Sequence, residues 1–533
     1  TSRSAMPEAA AEFDALSDEF FAPWFRYHPD RAIELDVGGF EKLLPAQSDD
    51  ELGALAAWLE SLVVALEEVD YEALDNARRI DLRLMFGAAR VEHHELLERD
   101  WRHRDPVRFL PVGEIFHLTI HPSEQVRDAL VCLLSRVPEY LRLAAAHLRP
   151  MAELVSPPLI EAAVDETERG RCYLRELAGS PWLSLHCQGR NEIALLIDDA
   201  CAALAGYAEM LRRDIAPRAA QRLGCGEPHL RLVFRHRHFM ELAPSRARAI
   251  LETALERTQA ELAVICDEMG ISRAAAQQHC EADAVSGAER LETCRRESER
   301  LAEFLRHSAL VSLPDAPLHI SERLPCPRPQ RFAMDYIPDW HHGRGTLYLT
   351  RSQAAESRPA LRARCLDGGW GGAHLLAFAG GSDGQRRARA LCAGASLKTA
   401  WGLYLRERLS TMGFMAADDR LHALLYRQDL LRLGLLDLDL NLGAVDTADP
   451  GAGAVELVQL ARRPGDAAAG ALGWQALEQA RQLIEREEGN AFNERTFHDR
   501  LLSCGAIPLP LILREEFGDA LWQASGRDLA VRD

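Results

Sequence analysis

The sequence predicts a mainly α-helical fold with one small β element. Three observations carry that expectation. Apolar residues recur at three–four spacing over long stretches, proline and glycine punctuate the intervals, and only one short segment alternates as a strand does.

From Leu52, apolar residues fall at Leu55, Trp58, Leu59, Leu62, Val63 and Leu66, one buried helix face. Amphipathic runs follow over 124–149 and 189–222. Ser245 is placed to N-cap a helix whose face is Leu251, Leu255, Thr258, Leu262, Ile265 and Met269, and which Gly270 closes. Another run covers 285–309. The clearest break runs from Leu313-Pro314-Asp315-Ala316-Pro317 to Pro325-Cys326-Pro327-Arg328-Pro329. It divides an N-terminal helical half, 13–310, from a C-terminal half, 311–533. Beyond it Thr346-Leu347-Tyr348-Leu349-Thr350 alternates as a short strand, and helical runs resume over 385–412 and 472–488. Asp446 to Gly453 reads as a mobile loop. Residues 1–12 read as a disordered leader or a cloning remnant ahead of Met6. They carry no apolar core of a signal peptide.

At 533 residues and 47% hydrophobic composition the chain can bury a large core. No apolar run approaches the roughly 18 residues of a membrane span. The net charge of -19 argues against a nucleic-acid groove, which needs a basic stripe. The twelve cysteines are scattered without a Cys-x-x-Cys pair, the pattern of reduced, mostly buried thiols, and the expected location is the cytoplasm. Lys42 and Lys398 are the only two lysines, so lysine chemistry is confined to those positions.

Motifs along most of the chain resemble one bacterial family. They begin with Tyr27-His28-Pro29-Asp30-Arg31-Ala32 and Asp36-Val37-Gly38-Gly39, then Arg79-Ile80-Asp81 and Val137-Pro138-Glu139-Tyr140-Leu141. Trp401-Gly402-Leu403-Tyr404, Arg463-Pro464-Gly465-Asp466-Ala467 and Phe497-His498-Asp499 follow. The family is domain-of-unknown-function family 885, whose intact members resemble zincin-type metallopeptidases. The resemblance implies an elongated zincin- or oligopeptidase-like helical body with a deep central cleft, and 346–350 would be the edge strand that zincin-like clefts use against extended substrates.

It also implies a lost zinc site. Leu366-Asp367-Gly368-Gly369-Trp370-Gly371-Gly372-Ala373-His374-Leu375-Leu376 is similar to the family's His-Glu-x-x-Pro-Gly-His-His-Leu-Gln segment. Asp367 stands for the first His, Gly368 for the Glu and Ala373 for the next His; His374 is retained. Thr399 and Arg406 stand where the resemblance implies further Glu residues, and Asn441 where it implies a His. A catalytic zinc needs about three ligands and a base beside its water, so no metal and no cofactor is expected.

The candidate catalytic residues are Asp367, His374, Tyr348, His341 and Asp335. The candidate substrate-binding residues are Trp370, Trp401, Tyr404, Tyr336, Arg351, Lys398 and Asp466. Asp367 and His374, seven apart, would lie two turns apart (about 10 Å) on an unbroken helix. The intervening glycines argue against such a helix and could instead bend the chain or aim N–H groups at an anion. The polar cleft implies a metal-independent enzyme using acid–base chemistry on a small amino-acid-derived or peptidyl substrate in a bacterial biosynthetic pathway. Cyclisation, elimination or rearrangement would suit it. The alternatives are a catalytically dead pseudopeptidase that binds a peptide or partner protein, and a hydrolase with a relocated metal held by Asp367, His374 and His341 or His342. Nothing in the sequence fixes the oligomeric state.

Overall fold

Proline and glycine set where the helices begin and end. Pro244 occupies the first turn of the Pro244–Met269 helix, where its fixed φ suits the start and its missing N–H costs nothing. The cap is therefore Ala243, and the expected Ser245 cap lies one residue inside the helix. Gly270 closes the helix in the left-handed region, at φ 66°, as its position predicts. The 124–149 run is the Val126–Leu148 helix. The 189–222 run is shorter than its periodicity suggests: the helix ends at Met210, and Leu211–Ile215 widens into a π turn. Gly394 splits the 385–412 run into Arg387–Leu391 and Ala395–Thr411. A side chain at Gly394 would strike the backbone of Ile507 and Pro508.

The computed structural model describes residues 2–35, 37–120, 122–324, 336–352, 354–381, 387–392, 394–445 and 454–528. It is 72% helical with few strands, so the mainly α class with a small β element holds. The expected leader is helical from Ser2, and its helix runs to Tyr27 with Ala9 and Phe13 buried. The loop expected at 446–453 lies outside the described residues.

Among the described residues five strands make two sheets. β1 (Ala284–Val285) pairs antiparallel with β5 (Glu356–Ser357). β2 (Leu318–Arg323), β4 (Arg344–Thr350) and β3 (Tyr336–Asp339) lie side by side in that order. β4 is parallel to β2, with Leu318 opposite Gly345, and antiparallel to β3, with Tyr336 opposite Leu347. β4 is thus the central strand and not the edge strand that the zincin resemblance implies. The period-two pattern reports one buried face, here Leu347 and Leu349, and is blind to whether a neighbour pairs on each side.

Two large apolar cores support this frame. One is built mainly from residues 9–223, the other from Ile80, Leu84 and residues 225–521. The break near residue 313 is therefore no seam between cores: the Pro244–Met269 helix packs along Ala417–Asn441. The Ala395–Thr411 helix packs closely along Asp466–Glu488. Glycine permits that approach, because a Cβ on Gly473 would lie 2.6 Å from the Ser396 carbonyl oxygen.

Candidate functional site

The Arg358–Gly368 helix carries Asp367 at its last turn, and the chain then breaks before Ala373–Phe378. The two glycines flanking the break, Gly369 and Gly372, adopt backbone angles far from helical (φ -105°, ψ -138° and φ -142°, ψ -114°). Space explains the composition. A Cβ on Gly372 would lie 2.1 Å from the Asp367 carbonyl oxygen, and one on Gly368 2.4 Å from the Leu347 side chain on β4. Leu347 therefore fills the position where the family resemblance places a general base. The amides of Gly369 and Gly372 donate to the carbonyls of Cys365 and Gly369 and so are not free for an anion.

The break separates Asp367 from His374. His374 is fully buried. Its Nε2 lies 2.9 Å from the Ala316 carbonyl, which can only accept, so Nε2 carries the proton. Nδ1 then accepts from the Tyr336 hydroxyl at 2.9 Å. Burial lowers the His374 pKa to about 4 and holds that of Tyr336 above its usual value. With Trp370 edge-on at 4.6 Å, the imidazole is a neutral, doubly bonded clamp. A second clamp repeats the pattern: Tyr404 donates to His498 Nε2 at 2.8 Å, and His498 Nδ1 donates to the Leu310 carbonyl at 2.8 Å. Both clamps hold the 310–316 segment. Trp401 is fully buried and donates from Nε1 to the Gly371 carbonyl at 2.9 Å, tying the broken motif to the Ala395–Thr411 helix.

Asp367 faces the other way. Its Oδ2 accepts from Arg406 Nη2 at 2.7 Å; the arginine side chain is 4% exposed and the aspartate 40%. Positions 367 and 406, where the resemblance implies a His and a Glu, carry the two halves of one ion pair. Arg406 also donates to the Gly402 carbonyl at 2.9 Å and stacks over Tyr426. At the other altered position, Thr399 packs so closely that a Cβ on Gly470 would lie 2.8 Å from its Oγ1. Asn441 bonds Asp437, and Asp437 accepts the amides of Gly465, Ala467 and Ala468 as a buried cap on the Asp466–Glu488 helix.

Beside the Asp367–Arg406 pair lies a small cavity of about 30 Å³, lined by Glu297, Arg300, Arg362, Arg406, Asp419 and His422 together with Leu366, Phe414 and Met415. Arg300 donates to Glu297 at 2.9 Å and lies over Phe414. Arg362 bridges Glu297 at 3.1 Å and Asp419 at 3.2 Å. Burial alone would raise the Glu297 pKa, but Arg362 and Arg300 hold it below the usual range. His422 is half-buried, and among the described residues no hydrogen bond to its ring is present. Burial, aided by Arg406, lowers its pKa, so it is neutral at pH 7.

The other expected site residues lie apart from this cavity. Tyr348, half-buried on β4, has the Arg323 guanidinium over its ring at 5.7 Å. His341 is exposed in the β3–β4 turn, beside His342, which bonds Asp339. Arg351 is exposed near Glu322, Lys398 is exposed, and Asp466 faces His238 at 3.3 Å and Arg463 at 3.1 Å. Asp335 lies outside the described residues. Of the named candidates only Asp367 borders the cavity through its partner. Sequence reasoning missed Glu297, Arg362, Asp419 and His422, which come from three different helices and form no contiguous motif. Among the described residues no group of three His, Cys, Asp or Glu side chains is arranged to hold a metal ion.

No curated protein matches the chain significantly. Two solved structures share its fold. One, from Shewanella oneidensis, is provisionally described as a lipoprotein of unknown function; it is 15% identical, with a TM-score of 0.70 over 94% of this chain and 98% of that one. The other, from Colwellia psychrerythraea, is provisionally described as a lipoprotein; it is 14% identical, with a TM-score of 0.74 over the whole of both chains. At such identity the likeness establishes the fold alone. The model of the bacterial proteins of unknown function DUF885 matches residues 29–515. The chain belongs to that family.

Proposed function

We propose that the charged cavity is the site of a metal-independent enzyme acting by acid–base chemistry on a small amino-acid-derived or peptidyl substrate. The observation that carries this reading is His422. It is a neutral imidazole whose ring nitrogens have no hydrogen-bond partner among the described residues, and it faces a cavity whose charged lining is ion-paired. In that arrangement His422 is the general base. Arg406 and Arg362 orient a substrate carboxylate, and Glu297 and Asp419 receive an ammonium or amide. Cyclisation, elimination or rearrangement fits such a set, because each needs proton transfer in a water-poor site and none requires a metal-bound hydroxide.

A thermal-shift screen of N-acyl amino acids and short peptides tests the reading. A carboxylate-bearing member should raise the unfolding midpoint of the native chain and fail to do so with Arg406→Met. Turnover of that compound should survive chelators and be lost in His422→Ala. A screen with no binder removes the proposal. A binder never turned over supports the pseudopeptidase alternative, favoured by Leu347 filling the general-base position. The proposed location is the cytoplasm; the relatives described as lipoproteins make the cell envelope the competing one, and fractionation of the native host decides between them.

A further inference from the structure

The thiols of Cys294 and Cys365 touch. Cys294 lies on the Arg290–Ser308 helix and Cys365 on Arg358–Gly368, and their sulfurs are 2.7 Å apart in a fully buried position. The Cys365 thiol also reaches the Cys294 carbonyl at 3.4 Å. Among the described cysteines no other pair is in sulfur contact. The two stand 71 residues apart in sequence, so a bond between them would close a long loop. Each also lies one helical turn from the cavity wall: Glu297 follows Cys294 by three residues, Arg362 precedes Cys365 by three, and those two side chains are ion-paired.

We propose that Cys294 and Cys365 form a disulfide that staples the cavity's two wall helices together when the chain folds in an oxidising compartment. The oxidant is itself a disulfide, either glutathione disulfide or the oxidised pair of a thiol–disulfide oxidoreductase. One cysteine thiolate attacks it, expelling one thiolate and leaving a mixed disulfide. The second cysteine attacks the protein sulfur of that intermediate and expels the other. Two protein thiols lose two electrons and two protons, and the oxidant becomes two thiols. The step belongs to folding, before burial. Once buried, the Cys365 thiol is held well above its ordinary pKa by its bond to Cys294 and by burial, so it lacks the thiolate form that exchange requires. This proposal is independent of the reaction assigned to the cavity.

The test uses the full chain, produced once in a reducing cytoplasm and once exported to an oxidising periplasm. Each sample is unfolded in an alkylating agent and mapped by mass spectrometry. From the oxidising compartment, the peptides bearing Cys294 and Cys365 should appear joined, two hydrogens lighter than their sum, and separate on reduction. The joined chain should unfold roughly 3 °C or more above the reduced one. Cys294→Ala and Cys365→Ala should each abolish that difference, and Cys266→Ala should keep it. The comparison of reduced and oxidised wild type stands even where a variant fails to fold. Full alkylation of both residues from the periplasm overturns the proposal. So does a link to another cysteine, or a link whose reduction leaves the midpoint unmoved.

Discussion

Two neighbourhoods of the 366–376 segment differ sharply in character. Around His374 the side chains are dry, neutral and hydrogen-bonded in series: Tyr336 to His374 to the Ala316 carbonyl. Around Asp367, a few residues earlier, they are charged, partly exposed and arranged about a cavity. The difference teaches that a retained imidazole is weak evidence of retained chemistry. His374 holds the 310–316 segment against β3, a job that packing alone would preserve. Asp367 and Arg406 hold each other, and their pairing satisfies a buried guanidinium that would otherwise be costly.

The largest effect expected from this contrast is on stability. His374→Ala removes both bonds and leaves a buried hydroxyl and a part-buried carbonyl without this partner, besides a cavity. A loss of about 3 kcal/mol in urea unfolding follows, while any turnover per folded molecule stays near that of the parent. If instead turnover collapses and the unfolding midpoint hardly moves, the division into clamp and cavity is wrong.

Acid should attack the clamps next. His374 and His498 both have folded pKa values near 4, against 6.5 when free. Between those limits the unfolded chain takes up protons that the folded chain refuses, so stability is full above about pH 6.5 and declines as pH falls towards 4. Each imidazole accounts for a few kcal/mol at most, to order of magnitude. The pH profile of the urea midpoint, measured on the native chain and on His498→Gln, checks this. A slope that the variant does not flatten would assign the acid lability to other groups.

Legibility from the sequence follows the same line. Helices and their faces were readable because periodicity is local, as with the 52–66 face that became Asp49–Glu68. The absence of a Glu at 368 and of a His at 373 was equally readable. Which side chains meet around them was not. The partnership of Asp367 with Arg406 spans 39 residues, and that of Arg362 with Asp419 spans 57. No pattern in the chain announces which charge meets which. Tyr404 and Trp401, expected at a substrate surface, are wholly buried, because aromatic residues on a helix carry the same signature in a core as in a pocket. His422 stands alone in an ordinary helical run, and only its position against Arg406 singles it out.

A smaller change in stability should accompany Asp367→Ala. The aspartate is 40% exposed, so solvent screens much of its attraction, but Arg406 at 4% exposure is left without its carboxylate. A loss of about 1–2 kcal/mol is expected, with weakened binding of any carboxylate-bearing ligand through a displaced guanidinium. Equal losses for Asp367→Ala and Asp367→Asn would point to the charge; recovery with Asn would point to the hydrogen bond.

The smallest structural effect and the sharpest functional one should come from His422→Ala. Among the described residues the ring makes no hydrogen bond, and it is only half-buried, so its removal strands no partner and the unfolding free energy should change by less than about 0.5 kcal/mol. The substitution takes away the one neutral base facing the ion-paired cavity, and turnover of a substrate found by screening should fall by at least about 100-fold, in the range general-base catalysis contributes. Affinity for that substrate should change little, since Arg406 and Arg362 remain. The pH dependence discriminates further. Burial and Arg406 hold the His422 pKa below 6.5, so activity in the parent should be retained at neutral pH and lost on acidification beneath that value. That acid limb should vanish in the variant's residual rate. A variant with unchanged turnover would leave the cavity a binding site and make the aromatic clamps and the ion pairs alike elements of a scaffold.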